Sequence, residues 1–259
     1  VLGQGAPDAM NAAGFSDSPH LFYSGYDKSG EWFQLFQIGF GGIPGRPAGD
    51  GPDGHSLWPG FTNVPNEFIE ASFPLRIARY EPIPDSGGAG LHRGGNGLSV
   101  AYEFRVDGEV AIHDERWLTY PWGVRGGEPG MRSTKRLVRT DGTEEWLPAK
   151  CDGIKVREGD VLYFNTWGGG GWGDPLERDP EIVRVDVLRG LVTAPGARRY
   201  GVVIGDDGNV DAAATESLRK EMAADRGDVE LFSFGGSIEE IKARALEETH
   251  LPPPESPNA

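Results

Sequence analysis

The chain has 259 residues, long enough to bury a sizeable core in one or two domains. Its 25 Lys and Arg stand against 40 Asp and Glu, a net charge of -15 that repels phosphodiester backbones and anionic membranes and argues against both as partners. Cys151 is the single cysteine, which excludes an intrachain disulfide and a cysteine-built zinc site and suits a reducing, cytoplasmic compartment.

No apolar run reaches the roughly eighteen residues of a membrane span, and the opening VLGQGAPDAM has neither the basic nor the apolar block of a signal peptide. A chain that starts at Val1 reads as processed, split or truncated. With 40 Gly and 20 Pro among plentiful aromatic and β-branched residues, short strands joined by glycine turns are expected, not disorder.

Residues 1–34 read as an N-terminal connecting segment. EWFQLFQIGF, from Glu31, reads as a buried strand. It leads into GGIPGRPAGDGPDGHSLWPG, where Gly and Pro leave only a long loop, and such loops are often functional. In TNVPNEFIEASFP, Glu67 and Glu70 sit on one face of a helical turn, a carboxylate pair suited to cation binding or acid–base work, or to a solvated surface.

A strand over 75–80 ends at Pro82 and Pro84. Two strands with a hairpin turn at Val106-Asp107-Gly108-Glu109 follow, then a second hairpin turning at Asp141-Gly142. After another turn at Glu158-Gly159-Asp160, a strand over 161–166 runs into NTWGGGGWGDP. This β-rich body spans 35–175. Asp179 as N-cap, Pro180 at the first helical position and Gly190 after the end then define a helix. A short hairpin and two more helices complete a helical region over 176–250. Asp211 caps the first of these, and Ser237 with Glu240 forms a capping box on the second. Residues 251–259 read as a disordered tail. The fold class is α+β, mainly β: an antiparallel body with a helical C-terminal extension.

Four consecutive glycines between Trp167 and Trp172 invite a phosphate-loop reading, but no Lys-Ser or Lys-Thr follows, and Asp174 would repel the anion. The glycines are instead expected to serve φ > 0 or close backbone approach, with the two tryptophans covering a core or an interface. The five histidines are dispersed without metal-pair spacing. His113-Asp114-Glu115 forms a carboxylate-rich strand end open to a metal or a solvated reading, and His55 stands alone in the Gly/Pro loop; no metal ligand is assigned. In DSGGAGLHRGGNG, Asp85 and Arg93 either lock the turn by pairing or leave Arg93 to meet an anionic substrate. Neither a nucleophile elbow nor a reactive-cysteine signature is present.

The blocks NVPNEFIEASFPLRIARYEPIPDSGGAGLHRGGNG, PWGVRGGEPG, LPAKCDGIKVREGDVLYFNTWGGGGWGDPLERDPEIVRVDVLRGLVT and YGVVI, in that order over about 36–204, resemble the C-terminal part of the hydantoinase B/oxoprolinase family. The resemblance implies an actin-like hydantoinase A-type ATPase subunit as partner, holding ATP and Mg2+. It implies cyclic-amide hydrolysis of the hydantoin, oxoproline or lactam type through a phosphorylated intermediate. The alternatives are a biotin-independent ketone carboxylase of the acetone/acetophenone type and a non-catalytic assembly subunit. The family's His- and Asp-rich metal motifs have no counterpart in residues 1–34, so the divalent metal is expected on another chain or a missing N-terminal part. Asp85, Arg93 and Asn96 are the candidates for orienting a small-molecule substrate, with Glu67 and Glu70 behind them.

Overall fold

The computed structural model describes residues 2–6, 8–16, 18–56 and 60–254. A short α1 (Leu2–Gly5) precedes β1 (His20–Tyr26) and β2 (Trp32–Ile38), and the glycine- and proline-rich loop then leads to α2 (Asn66–Ser72). There follow β3 (Leu75–Pro82), β4 (Leu98–Phe104), β5 (Gly108–His113), β6 (Gly123–Val124), β7 (Thr134–Val138), β8 (Glu144–Leu147), β9 (Lys150–Val156) and β10 (Val161–Asn165). The last third holds α3 (Pro180–Leu188), α4 (Ala212–Asp225), β11 (Phe232–Ser233) and α5 (Ile238–Thr249).

The strands form two antiparallel sheets, ordered β2-β1-β5-β9 and β3-β4-β10-β7-β8, with β11 and β6 as a separate pair. Inward side chains of the two sheets share one apolar core: Leu21, Tyr23, Leu35 and Ile112 meet Tyr102, Phe104, Leu137 and Leu162. Tyr23 marks the seam, its ring 4.8 Å from that of Phe104 and its hydroxyl donating to the Val106 carbonyl at 2.9 Å.

Three expectations change here. Residues 1–34 are not merely connecting: 20–26 are a paired interior strand of the first sheet. The turn at Val106-Asp107-Gly108-Glu109 joins no hairpin, because β4 and β5 belong to different sheets and the chain crosses the sandwich there. β2 is buried on one face only, with Trp32 and Phe36 exposed, because only the inner face of its sheet packs against the core. The hairpin at Asp141-Gly142 is observed between β7 and β8. Of the tail, residues 251–254 lie beside Trp117 and Pro148, and 255–259 fall outside the described residues.

The helix signals hold at atomic level. Asp179 accepts from Glu181 N, Asp211 from Ala214 N, and Ser237 and Glu240 make a reciprocal capping box.

At the end of the sandwich, extended glycine segments (41–45, 87–90, 94–97, 127–130 and 168–171) pack backbone to backbone. Gly168 N donates to Met131 O, Gly169 N to Gly95 O, Gly170 N to Ala13 O and Gly171 N to Glu128 O. The first and fourth donors reach the same neighbouring segment, and the two between them reach others. Bonds that recur on one side every third residue describe a threefold extended helix, not a sheet strand. None of these four glycines has positive φ. A Cβ on Gly168, Gly169, Gly170 or Gly171 would fall within 3.0 Å of the carbonyl oxygen of Ser86, Ile43, Trp122 or Ala89 respectively. Close approach, not left-handed backbone, requires glycine.

Gly169→Ala is therefore expected to cost about 3 kcal/mol or more, since backbone cannot move aside as a side chain can. Gly142→Ala, at φ 84 with open space around it, is expected to lose only about 1–2 kcal/mol. Urea midpoints of the two variants test the difference.

Candidate functional site

The glycine bundle carries almost no side chains of its own, so its shape is set by polar groups around it. Asp50 and Asp53, in the loop after β2, face Arg93 and Arg178. Arg178 grips Asp50 with both terminal nitrogens at 2.7 Å, and also reaches Asp186 of α3 at 2.8 Å and the Leu91 carbonyl at 2.9 Å. Arg93 takes Asp53 at 2.7 and 3.1 Å, and its backbone N–H donates to Asp50 at 2.8 Å. Both guanidinium groups are buried, at 3 and 2 % exposure. Burial alone would raise the Asp50 carboxyl, but the bonds and charge of Arg178, with Arg93, hold it below the usual carboxylate range.

Asp85 and Arg93 do not pair, so the turn is not locked as one alternative supposed. Asp85, at φ 63, accepts from Thr193 N at 2.9 Å and Thr193 Oγ1 at 2.5 Å, and its carbonyl accepts from Arg199 at 2.8 Å. Asn96 is fully buried. Its side chain accepts from Gly87 N at 2.9 Å and donates to Leu191 O at 2.8 Å, while its own N–H reaches Asp53 at 2.7 Å. Asp85, Arg93 and Asn96 therefore share one region: Asp85 and Asn96 tie it to the segment after α3, and Arg93 ties it to the loop after β2. Glu67 and Glu70 lie elsewhere, exposed on α2, where Glu70 accepts from Ile77 N at 2.8 Å.

The strand-end constellation separates. His113 faces outward to Asp152 at 3.3 Å, Glu115 pairs with Lys150, and Asp114 is buried against the Lys135 ammonium. Burial pushes that ammonium down, and pushes the neighbouring Cys151 thiol up to about 11 with the help of Asp152, so the thiol is a poor nucleophile. His55 Nδ1 lies 2.9 Å from Ser56 O. Among the described residues no group of three or more His, Cys, Asp and Glu could hold a metal ion.

Trp167 is wholly buried, edge-on to Phe15 at 4.9 Å. Trp172 donates to Met10 O at 3.1 Å beneath Arg125, whose guanidinium lies 5.6 Å from its ring. Asp174, where a phosphate loop would need lysine, accepts from Leu176 N and binds Arg226 through both terminal nitrogens. Burial opposes its ionisation, yet Arg226 keeps the carboxyl low. A cavity of about 570 Å³ opens between Trp172, Arg125, Glu177 and Leu231. The glycine N–H groups are turned to other backbone carbonyls, so the loop does not fit a nucleotide.

Sequence reasoning missed Asp50, Asp53, Arg178, Asp186 and Arg199. The only local hint was an aspartate on either side of Gly51-Pro52 in a loop otherwise poor in charge.

The architecture is a β-sandwich with an apolar side-chain core, joined to a glycine bundle packed backbone to backbone and clasped by buried arginines. The chain belongs to the hydantoinase B/oxoprolinase family, whose profile matches residues 1–175 and so takes in the first strands as well. It is 33% identical over 225 residues to the B component of a putative D-/L-hydantoinase of Pseudomonas sp. (strain NS671), covering 85% of this chain and 37% of that one. It is 30% identical over 237 residues to the acetophenone carboxylase delta subunit of Aromatoleum aromaticum, covering 77% and 35%. The crystal structure of the ATP-dependent caprolactamase from Pseudomonas jessenii superposes with a TM-score of 0.68 at 28% identity, over 85% of this chain and 40% of that one. The chain thus spans well under half the length of these relatives. No helix among the described residues is long and apolar enough to cross a membrane.

Asn96→Ala leaves the Gly87 N–H without its acceptor in a dry site and takes one of two donors from the Leu191 carbonyl, which keeps the Asp85 N–H; it is expected to cost about 1–3 kcal/mol, read as a fall in melting temperature. Asp50 and Asp174 have lowered folded pKa values, so the unfolded chain binds more protons in acid. Their contribution is complete above the ordinary aspartate value of about 4 and is lost as pH falls through the lower folded values. Asp50→Asn should lower the neutral-pH plateau and flatten the acid limb, followed by tryptophan fluorescence.

Proposed function

We propose that this chain is the part of an ATP-dependent cyclic-amide hydrolase that forms a rigid floor for the substrate-binding subunit assembly. The observation that carries this reading is the match to a hydantoinase B component along 85% of the chain. A caprolactamase likeness at 28% identity supports it. ATP, with Mg2+, belongs on a hydantoinase A-like partner in the cytoplasm, and would supply phosphoryl transfer to the amide oxygen so that water can open the ring. A divalent metal belongs on the remainder of the B component.

This chain's own residues bind and orient. Asp85, Arg93 and Asn96 act as positioning residues: they fix residues 85–97, which carry two of the bundle segments, against the loop after β2 and the segment after α3, and so hold the surfaces on which partner and substrate rest. Glu67 and Glu70, exposed on α2, are secondary candidates for a contact outside the bundle.

A ketone carboxylase is the second reading, favoured by the 30% identity to an acetophenone carboxylase subunit over 77% of the chain. The assembled enzyme, given ATP with hydantoin, 5-oxoproline or caprolactam, is expected to release ADP and the ring-opened acid without bicarbonate. Turnover of acetone or acetophenone only with bicarbonate would move the assignment to the carboxylase. If Arg93→Lys and Asp85→Asn each keep full turnover and unchanged KM in the assembled enzyme, the positioning role fails and a purely structural part remains.

A further inference from the structure

The sheet β2-β1-β5-β9 ends at β2, and among the described residues no strand pairs with its outer edge. In register, Phe22 of β1 stands opposite Phe36 of β2, Ser24 opposite Gln34 and Tyr26 opposite Trp32. These side chains share the face turned away from the core. Phe22 and Phe36 stack with centroids 4.7 Å apart, and Tyr26, Trp32 and Phe36 are 66, 58 and 51% exposed. A sheet face turned to water is ordinarily polar, and an exposed edge strand is ordinarily short, charged or covered. Here the edge runs seven residues and carries no charge within the strand. Beside it, between Trp32, Tyr26, Glu109, Lys155 and Arg157, lies a depression of about 630 Å³. A contiguous aromatic face with an unpaired edge and a cavity at its margin has the character of an interface.

A second copy of this chain is a poor occupant. It would bring another charge of -15 to the contact, and the nearby Lys155 and Glu109 already pair with each other, leaving little complementarity to offset the repulsion. The relatives, by contrast, carry about three fifths of their length outside the match. That length must pack against the matched part somewhere.

We infer that the outer face of β1 and β2, with the free edge of β2, docks the remainder of the hydantoinase B fold, whether joined to this chain or carried on a separate one. The contact adds a strand to β2 and seats an apolar side chain of that remainder in the depression beside Trp32. The inference rests on the proposed function only in taking the occupant to be the rest of that family's chain.

Amide hydrogen exchange, compared between this chain alone and the native assembly that contains it, tests the placement. Exchange at residues 32–38 is expected to slow at least tenfold in the assembly, and the double variant Trp32→Lys/Phe36→Lys to weaken retention of the remainder at least tenfold with an unchanged melting temperature. Unchanged exchange at 32–38 would overturn the inference, and needs no variant to fold. So would wild-type affinity of the double variant, or a dimer of this chain alone that protects β2. The functional reading fails separately, in an assembly that protects β2 but does not open a cyclic amide with ATP.

Discussion

The constraint on which this structure depends is the approach of peptide backbones to one another without side chains between them. In the glycine bundle, N–H groups of successive residues point to different neighbours, so each segment is held by several others that lie far away in sequence. Glycine loses more conformational freedom on folding than any other residue. Such an arrangement therefore forms only where hydrogen bonds are numerous and the surroundings are fixed. The surroundings here are the sandwich on one side, Trp167 within, and the ion pairs of Arg93 and Arg178 at the rim.

Those ion pairs explain why the charged residues nearest the bundle are arginines. A planar guanidinium can satisfy a carboxylate with two parallel bonds and still reach a carbonyl, as Arg178 does with Asp50, Asp186 and Leu91. Lysine offers no such fork. Buried pairs of this kind add little net stability over apolar packing, but they penalise alternatives strongly, because a displaced partner leaves an unpaired charge in a dry site. Their effect is to choose one register for chains that, lacking side chains, would otherwise slide.

What was legible in the sequence follows the range of the interaction. Asp179, Asp211 and Ser237 act within three residues of where they stand, and each could be read as a cap. The Asp141-Gly142 hairpin is equally local. The turn at Asp107-Gly108 looked the same by composition but joins two sheets, because what distinguishes them is the partner each strand finds across the core. Arg93 finds Asp53 forty residues away, and Arg178 finds Asp50 at 128. Nothing in local spacing encodes such pairs. The four glycines were read correctly as architecture, while the reason, close approach with ordinary φ, needed the neighbours to be in place.

Commitment of polar groups bears on what this chain can do. Arg93, Arg178, Asn96 and Asp50 have their donors and acceptors directed into the protein, and Asp174 is held by Arg226. A group that must change its bonding partner during a reaction cannot also be the bond that keeps a glycine bundle in register. The bundle and its rim are thus committed to holding the register of this part of the chain. The aromatic face of β1 and β2 points away from the shared core, while β2 runs on into bundle segment 41–45, where the Gly42 N–H donates to the Trp167 carbonyl, so this face and the bundle are joined through one strand. A close-packed glycine bundle and an exposed aromatic sheet face are two features of the same sandwich.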